Sequence, residues 1–295
     1  MTDQELFTVV GIRQDAVVPQ KKVRRHRDFP WISVILLSLI LLCCLFAEVI
    51  MTKDPGYLDL QNYNQAPNGA FLFGTDTLGR DIFSGIWYGG RISIAIGFLA
   101  TLISTLIAVV YGSVSGTASG WVDAVMMRFT EIFLSVPGLL LVLFLQAILG
   151  QANVLTLSVV IGVTGWASIA KIIRTEVRQI RGSEYVLASR CMGGKFFHIL
   201  RRHLAPNFIA AIMFMVVMNV RGAIGAESTL SFMGMGLPLE VISWGSMLSL
   251  SEKALLSGSW WIILIPGFFL VTLMMCLTNI GNYLRKNANR KESNL

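Results

Sequence analysis

Charged residues are scarce in this chain. Asp, Glu, Lys and Arg make up 14% of its 295 residues, against about 25% in typical soluble domains, and 54% of the residues are hydrophobic. Such a composition excludes an ordinary soluble domain. It predicts a polytopic membrane protein built from helices.

Chemical motifs are also scarce. The phosphate-binding pattern GxxxxGK[ST] does not occur, so energy from ATP would have to come from another chain. The four cysteines have no metal-like spacing, and no disulfide is expected. His198 and His203 lie five positions apart, which does not place them on one helical face. Without a cluster of His, Cys or carboxylate residues, a membrane-embedded enzyme is disfavoured.

Six apolar runs are long enough to cross a bilayer, which takes about twenty helical residues. They are Trp31 to Met51, Ile92 to Tyr111, Val125 to Leu149, Val154 to Ile173, Phe208 to Phe232 and Trp260 to Leu284. The third run carries Pro137, which should bend it. At its start, Arg128 and Glu131 can share one helical face.

The positive charges indicate how these six spans are oriented. Lys and Arg are concentrated before the first run, after the last run, and between the fourth and fifth runs. With six spans, all three regions fall on one side of the membrane. The positive-inside rule then places both termini and the segment 174–205, called the basic loop below, in the cytoplasm. The net charge of +7 is therefore interpreted as an orientation signal, and no nucleic-acid role is expected.

The basic loop should contain a short helix. Ser183 can cap this helix with its hydroxyl, and Glu184 lies in its first turn, where the helix dipole favours an anion. Ala188 and Ser189 leave a low face that another protein can approach closely. Gly193, followed by a second glycine, should end the helix, because glycine adopts the left-handed conformation without penalty.

A proline then marks the following helix. Pro206 is expected to open that helix at its first turn. The pattern of Glu184, small residues at Ala188 and Ser189, Gly193 and then Pro206 resembles the EAA loop of ABC-importer permeases. In that family the loop is where the permease docks on its ATPase.

Three further segments extend the resemblance. Residues 73–81, FGTDTLGRD, look like the GTDxLGRD signature of the oligopeptide, dipeptide and nickel branch of these permeases. Residues 226–236, AESTLSFMGMG, are similar to the family's AEASLSFLGLG, and residues 243–248, SWGSML, to its SWGxML. Within this branch the chain resembles the second of two paired permease subunits.

The resemblance implies an all-α integral membrane fold. Six transmembrane helices are expected, with one extra N-terminal helix before a five-helix core of the type I ABC importer (MetI-like) class. The implied segments are a cytoplasmic basic tail (1–30), the first transmembrane helix (31–51), an extracytoplasmic loop with an interfacial helix (52–90), the permease core (91–284) and a cytoplasmic tail (285–295).

The resemblance also implies partners and a substrate class. A homologous second permease, two ATP-binding subunits that hold ATP and Mg, and an extracytoplasmic substrate-binding protein would complete an importer in the bacterial inner membrane. No cofactor is expected in this chain. Peptide is the leading substrate, and nickel or a metal chelate is the alternative. A stand-alone secondary transporter would need its own ion-coupling carboxylates and often shows an internal repeat, neither of which is clear here.

Polar residues within the fifth span are candidates for the pathway. Asn219, Arg221 and Glu227 should face the bundle interior or a water-filled path. Arg221 and Glu227 lie six positions apart, about 240° around a helix, so they do not form a simple pair within it. Contact with substrate and pairing between helices both remain open for these residues.

The predicted outer side offers two more candidates. Trp244 and Gly245 lie in the loop from Pro238 to Trp260, which by resemblance would be an outer gate and a contact for the binding protein. A surface helix anchored by tryptophans is an equally good interpretation. Thr75 and Asp76 could cap a short helix along the outer membrane surface.

Three glycines directly after the second predicted span have the spacing of a packing groove. Gly112, Gly116 and Gly120 repeat every four residues, which on a helix allows close contact with a neighbour. A flexible cytoplasmic turn is an equally good interpretation of the same residues.

Overall fold

Helices make up most of the structure, a computed structural model that describes residues 29–251, 254 and 257–292. The predicted N-terminal basic tail lies almost entirely outside the described residues. The helices in chain order are α1 (Trp31–Leu45), α2 (Ala47–Ile50), α3 (Ile82–Thr117), α4 (Gly120–Ser135), α5 (Gly138–Leu149), α6 (Val154–Thr164), α7 (Ala167–Ile180), α8 (Glu184–Cys191), α9 (Phe196–Ile199), α10 (Ala205–Phe232), α11 (Trp244–Ser249) and α12 (Trp261–Glu292). A 3₁₀ turn covers Leu60–Asn62, and a π-helical turn covers Leu200–Leu204.

The longest helix, α3, begins ten residues before the predicted second span. Asp81 is its N-cap, and the Asp81 carboxylate accepts a hydrogen bond from the Ser84 backbone N–H at 3.0 Å. The prediction that Thr75 and Asp76 cap a short interfacial helix is wrong. Both residues lie in a compact loop instead, in which Thr75 forms an isolated antiparallel bridge with Asp81.

The third predicted span is broken at the predicted proline. Helices α4 and α5 meet at an angle of 88°, and Pro137 stands at the break as the N-cap of α5. Proline lacks a backbone N–H and clashes with the preceding turn, which explains the break. The predicted pair of Arg128 and Glu131 is present on α4, with 2.9 Å between Nη1 and Oε2.

The fourth predicted span is also bent. Helices α6 and α7 meet at 46° around Gly165 and Trp166. Among the described residues, α3 and α12 are each long and apolar enough to cross a membrane, and two further spans arise if each bent pair counts as one. Helix α1 is apolar but shorter. Six crossings therefore stay a prediction, whereas the all-α membrane fold is confirmed.

Helix α3 lies at the centre of the fold and packs against α6, α7 and α10, while α12 packs against α1 and α10. Two of the three predicted groove glycines allow its close contact with α7. A Cβ on Gly112 would lie 2.6 Å from the Ala170 carbonyl oxygen, and a Cβ on Gly116 would lie 2.7 Å from a methyl of Val177. Gly120 has open space around its Cα, so the groove ends before α4.

Candidate functional site

The basic loop contains the predicted short helix, α8, which begins at Glu184. The Ser183 hydroxyl donates to the Ile180 carbonyl at 2.7 Å, so this side chain bonds the end of α7. The Val186 and Leu187 backbone N–H groups bond the Ser183 carbonyl at 3.1 and 3.0 Å. Only three residues, Arg181 to Ser183, therefore separate α7 from α8.

The two glycines end α8 as predicted. Gly193 has φ +81°, and the Gly194 N–H bonds the Ser189 carbonyl at 2.9 Å while the Met192 N–H bonds the Ala188 carbonyl at 3.0 Å. This is a Schellman ending, which requires a left-handed residue at Gly193. A Cβ on Gly194 would lie 2.7 Å from the Ser189 carbonyl oxygen. Gly193 therefore needs glycine for its left-handed backbone, and Gly194 needs it because a Cβ has no room.

The exposed face of α8 differs at one residue from the face predicted for docking. Glu184, Ala188 and Met192 are exposed, the last by 82%. Ser189 is buried under the glycine turn and does not belong to the outward face, because consecutive helical residues point about 100° apart. Val186 is fully buried in the core formed with α7 and α10, and it fixes the helix against the protein.

Pro206 stands at the start of a helix, as predicted. It lies in the first turn of α10, which follows directly on α9 and the π-helical turn Leu200–Leu204. A π-turn bonds each N–H one residue further back than an α-turn. The helical path from Phe196 to Phe232 therefore passes continuously through the proline position.

An ion-pair cluster lies at the ends of α3, α4 and α7 that meet the basic loop. The Asp123 carboxylate accepts hydrogen bonds from Arg174 Nε at 2.7 Å, from Arg178 Nη1 at 2.9 Å and from Ser115 Oγ at 2.6 Å. Arg174 also donates from Nη2. The Asp123 side chain is 5% exposed. These four residues are called the Asp123 cluster below.

At the other end of the bundle, Glu227 occupies a fully buried position. Its carboxylate accepts hydrogen bonds from four serine hydroxyls: Ser243 at 2.7 Å, Ser93 at 2.9 Å, Ser231 at 3.0 Å and Ser228 at 3.3 Å. Ser93 belongs to α3, Ser228 and Ser231 to α10, and Ser243 is the N-cap of α11. These five residues, the Glu227 cluster, therefore join three helices.

Trp244 and Gly245 were predicted as an outer gate or a contact for a binding protein, and the structure buries both. Trp244 is fully buried, and its Nε1 donates to the Ile86 carbonyl at 2.8 Å. A Cβ on Gly245 would lie 2.7 Å from Ser228 Cα. The interpretation as a surface helix anchored by tryptophans is wrong for Trp244 as well. These residues hold α11 against α3 and α10.

The other two polar residues of the fifth span lie apart from Glu227. Asn219 donates from Nδ2 to the Ser104 hydroxyl, so it pairs between α10 and α3. Arg221 is exposed and faces an open cavity of about 400 Å³ bordered by α12 residues such as Met274 and Thr278. The expectation that Arg221 and Glu227 do not pair within the helix is confirmed. A pathway role stays a prediction for these residues.

The loop 73–81 is a compact connector. The Asp76 carboxylate accepts from the backbone N–H groups of Leu78 at 2.8 Å and Arg80 at 2.9 Å. Burial raises the pKa of the Asp76 carboxyl above its usual range, against the opposing effect of these two bonds. Trp261 Nε1 donates to the Thr75 carbonyl at 3.1 Å. The loop therefore fastens the start of α3 to the start of α12.

Among the described residues, no three His, Cys, Asp or Glu side chains come together as a metal site would require. The four cysteines are free. Bent apolar helices with an exposed, charged loop at one end are features of an integral membrane protein.

The comparisons with known proteins agree with this class. Residues 108–290 match the family described as "Binding-protein-dependent transport system inner membrane component". The chain belongs to this family, the permease subunits of ABC importers, and it is a permease subunit rather than an enzyme.

Individual relatives cover most of the chain. It is 42% identical over 226 residues to the dipeptide transport system permease protein DppC of Bacillus subtilis, covering 77% of this chain and 70% of the relative. It is 37% identical over 261 residues to the oligopeptide transport system permease protein OppC of the same organism, covering 88% and 85%. OppC of Escherichia coli K12 is also 37% identical, covering 88% and 86%.

A solved structure supports the fold. The MetNI methionine ABC transporter contains a chain that superposes with a TM-score of 0.54 at 16% identity, covering 69% of this chain and 96% of that chain. At this identity the likeness concerns the fold alone. It confirms the predicted MetI-like core.

Proposed function

We propose that this chain forms one half of the translocation pathway of an ATP-driven peptide importer, as the second of two paired permeases. The substrate class is supported by the relatives, which are named as dipeptide and oligopeptide permeases. A homologous permease supplies the other half of the pathway. An extracytoplasmic binding protein delivers the peptide, as the family description suggests.

The observation that carries this proposal is the construction of the basic loop. Helix α8 is held from behind by Val186 and ended by the Schellman turn at Gly193, so its outward face has a fixed shape before any partner binds. Exposed Leu187 and Met192 add apolar area to that face. A preformed helix with apolar tips fits a groove on another protein. The partner is one of two ATP-binding subunits, which hold ATP and Mg and hydrolyse the nucleotide.

The orientation follows from charge. The Lys and Arg residues of the basic loop and of both tails support a cytoplasmic location for these segments in a bacterial inner membrane. Helix α3 then runs inwards from Ile82 to Thr117, and α11 lies near the outer side. Buried Trp244 and Gly245 fix α11 there and do not touch the binding protein.

The experiment is reconstitution of the full assembly. The chain is produced with its homologous permease and the ATP-binding subunits, and the purified complex is placed in vesicles with binding protein outside. We expect ATP-dependent uptake of di- and oligopeptides. Uptake of nickel or a nickel chelate in place of peptide would contradict the substrate class. Uptake driven by an ion gradient without the ATP-binding subunits would contradict the importer itself.

A matched pair of variants tests the docking face. Leu187→Asp places a charge on the exposed face of α8, and Leu239→Asp places the same charge on an exposed position of the loop before α11. We expect the first variant to lose the co-purifying ATP-binding subunits and the second to retain them. Retention by both variants would contradict docking at α8.

A further inference from the structure

The Asp123 cluster joins three helices next to the basic loop. Arg174 and Arg178 both belong to α7, one helical turn apart, and Asp123 belongs to the first turn of α4. Ser115, near the end of α3, completes the set. An arginine can only donate hydrogen bonds and a carboxylate can only accept them. The attachment of α4 to α7 at this point therefore depends on the charge of Asp123.

Helix α7 is also fastened to α3. Gly112 and Gly116 let the two helices approach until side-chain methyls and backbone touch. Arg181, at the end of α7, donates from Nη1 to the Gly116 carbonyl at 3.0 Å and to the Ala118 carbonyl at 3.3 Å. A cation is favourable at this carbonyl end of α3. A displacement of α7 is therefore passed to α3 through close packing and to α4 through the Asp123 cluster.

The connection to the basic loop is short. Arg181 is followed by Gly182 and Ser183, and α8 then begins. Helix α8 cannot swing independently of α7 over such a distance without breaking the bonds of the Ser183 N–H and hydroxyl to the Ile180 carbonyl, at 2.9 and 2.7 Å. A pull on α8 therefore reaches Arg178 and Arg174 within two helical turns.

Helix α4 has one further polar attachment close by. The Tyr111 hydroxyl on α3 donates to the Met126 carbonyl at 2.7 Å, and the Thr130 hydroxyl donates to the Tyr111 hydroxyl at 3.4 Å. These bonds join α4 to α3 and contain no atom of α7. The Asp123 cluster is thus a polar contact through which α4 responds to α7.

We infer that Asp123 is a positioning residue for coupling: through Arg174 and Arg178 it makes α4, and the bent segment that follows it, move with α7 when an ATP-binding subunit displaces α8. This inference rests on the proposed function. It assigns to the cluster the transmission of force between the docking helix and the bundle, in addition to the stability that any buried ion pair influences.

The decisive variant is Asp123→Asn, which keeps the shape and removes the charge. The complete importer is reconstituted in vesicles, and peptide uptake and ATP hydrolysis are measured on the same sample. We expect the assembled complex to keep hydrolysing ATP while uptake per ATP falls about tenfold, within the range usual for coupling between sites. Stimulation of hydrolysis by the loaded binding protein should be lost as well.

A control and a second variant keep the test decisive. Glu131→Gln removes one negative charge from the same helix, but Glu131 pairs with exposed Arg128 rather than α7, so uptake per ATP should not change. Arg178→Gln removes the outer arginine and leaves the pair of Arg174 with Asp123. It should give a smaller fall in the same direction, and it decides the question if Asp123→Asn does not assemble.

Two results would overturn the inference. One is normal uptake per ATP in an assembled Asp123→Asn complex or, if this variant does not assemble, in Arg178→Gln. The other is an equal loss of hydrolysis and uptake that follows the amount of complex, since this shows a structural role only. A wild-type complex without ATP-dependent uptake would instead contradict the proposed function, so the two failures are distinguishable.

Discussion

Two buried carboxylates at opposite ends of the bundle, Asp123 and Glu227, are stabilised in different ways. Asp123, beside the basic loop, is bonded by two arginines and one serine. Glu227, at the other end of the bundle, is bonded by four serine hydroxyls, and the ion pairs of the described residues do not include it. One carboxylate is balanced by charge, and the other is held by hydrogen bonds.

The two clusters differ in whether the side chains around the carboxylate can rearrange after the carboxylate is substituted. A serine hydroxyl donates or accepts and can rotate, whereas a guanidinium only donates. The Glu227 cluster can therefore adapt to a neutral side chain of the same shape, but the Asp123 cluster cannot. The arginines around Asp123 are partly exposed, at 23% and 39%, so water reduces the energy of those pairs.

The largest expected effect on stability follows from Glu227→Leu, which removes the only carboxylate of the Glu227 cluster. Glu227→Leu withdraws the acceptor from four hydroxyls and leaves them buried among apolar atoms. We expect a loss of about 3 kcal/mol in the free energy of unfolding and little assembled complex. Unfolding in detergent and complex yield provide the measurement. Unchanged stability would show that these hydroxyls find other partners.

The second-largest effect on stability is expected when the negative charge of Asp123 is removed. Asp123→Asn leaves the two guanidinium groups beside a neutral amide, which supplies one acceptor oxygen. We expect a loss of about 2 kcal/mol, below the usual value for breaking a buried pair because the arginines are partly exposed. Glu131→Gln on the same helix should change unfolding by less than about 0.5 kcal/mol. Equal effects of the two substitutions would remove the distinction between buried and exposed pairs.

A third effect concerns the glycine turn between α8 and α9. Gly193→Val places a β-branched residue at φ +81°, whereas Gly193→Asn places there a residue that tolerates the left-handed region. We expect the valine variant to lose about 1–2 kcal/mol of local stability and to release the ATP-binding subunits, with the asparagine variant close to wild type. The measurement is the amount of ATP-binding subunit that co-purifies. The prediction is contradicted if both variants bind equally.

The smallest effect is the most direct test of the comparison. Glu227→Gln keeps the shape, and the serines can turn to donate to its oxygen and accept from its amide. We expect less than about 1 kcal/mol of destabilisation and nearly normal uptake in assembled complex. Strong loss of uptake with normal assembly would instead give Glu227 a role in the pathway. Such a result would contradict the structural role that its full burial indicates.

Much of the fold follows from local sequence rules. The break at Pro137, the end of α8 at Gly193 and the ion pair of Arg128 with Glu131 could all be predicted. Each of these features depends on residues within a few positions of one another. The family resemblance was carried by motifs of this local kind. Its confirmation by the comparisons extends to the MetI-like core.

The sites were harder to predict because they depend on contacts between distant segments. Nothing in the sequence near Asp123 indicates that Arg174, 51 positions away, will bond it. The one available signal was a lone Asp at the start of an apolar helix, together with a basic loop on the same predicted side. Trp244 was assigned to the surface because tryptophan is common at membrane interfaces, but its partner, the Ile86 carbonyl, lies 158 positions away.

The four cysteines differ in access to solvent: Cys191 on α8 is exposed, Cys44 and Cys276 are buried, and Cys43 is intermediate. Thiol reagents reach an exposed cysteine much faster than a buried one. The wild-type chain therefore carries a built-in reporter on α8, the proposed docking helix. Alkylation of Cys191 should slow when an ATP-binding subunit covers α8, so occupancy of this surface can be followed over time without altering a single residue.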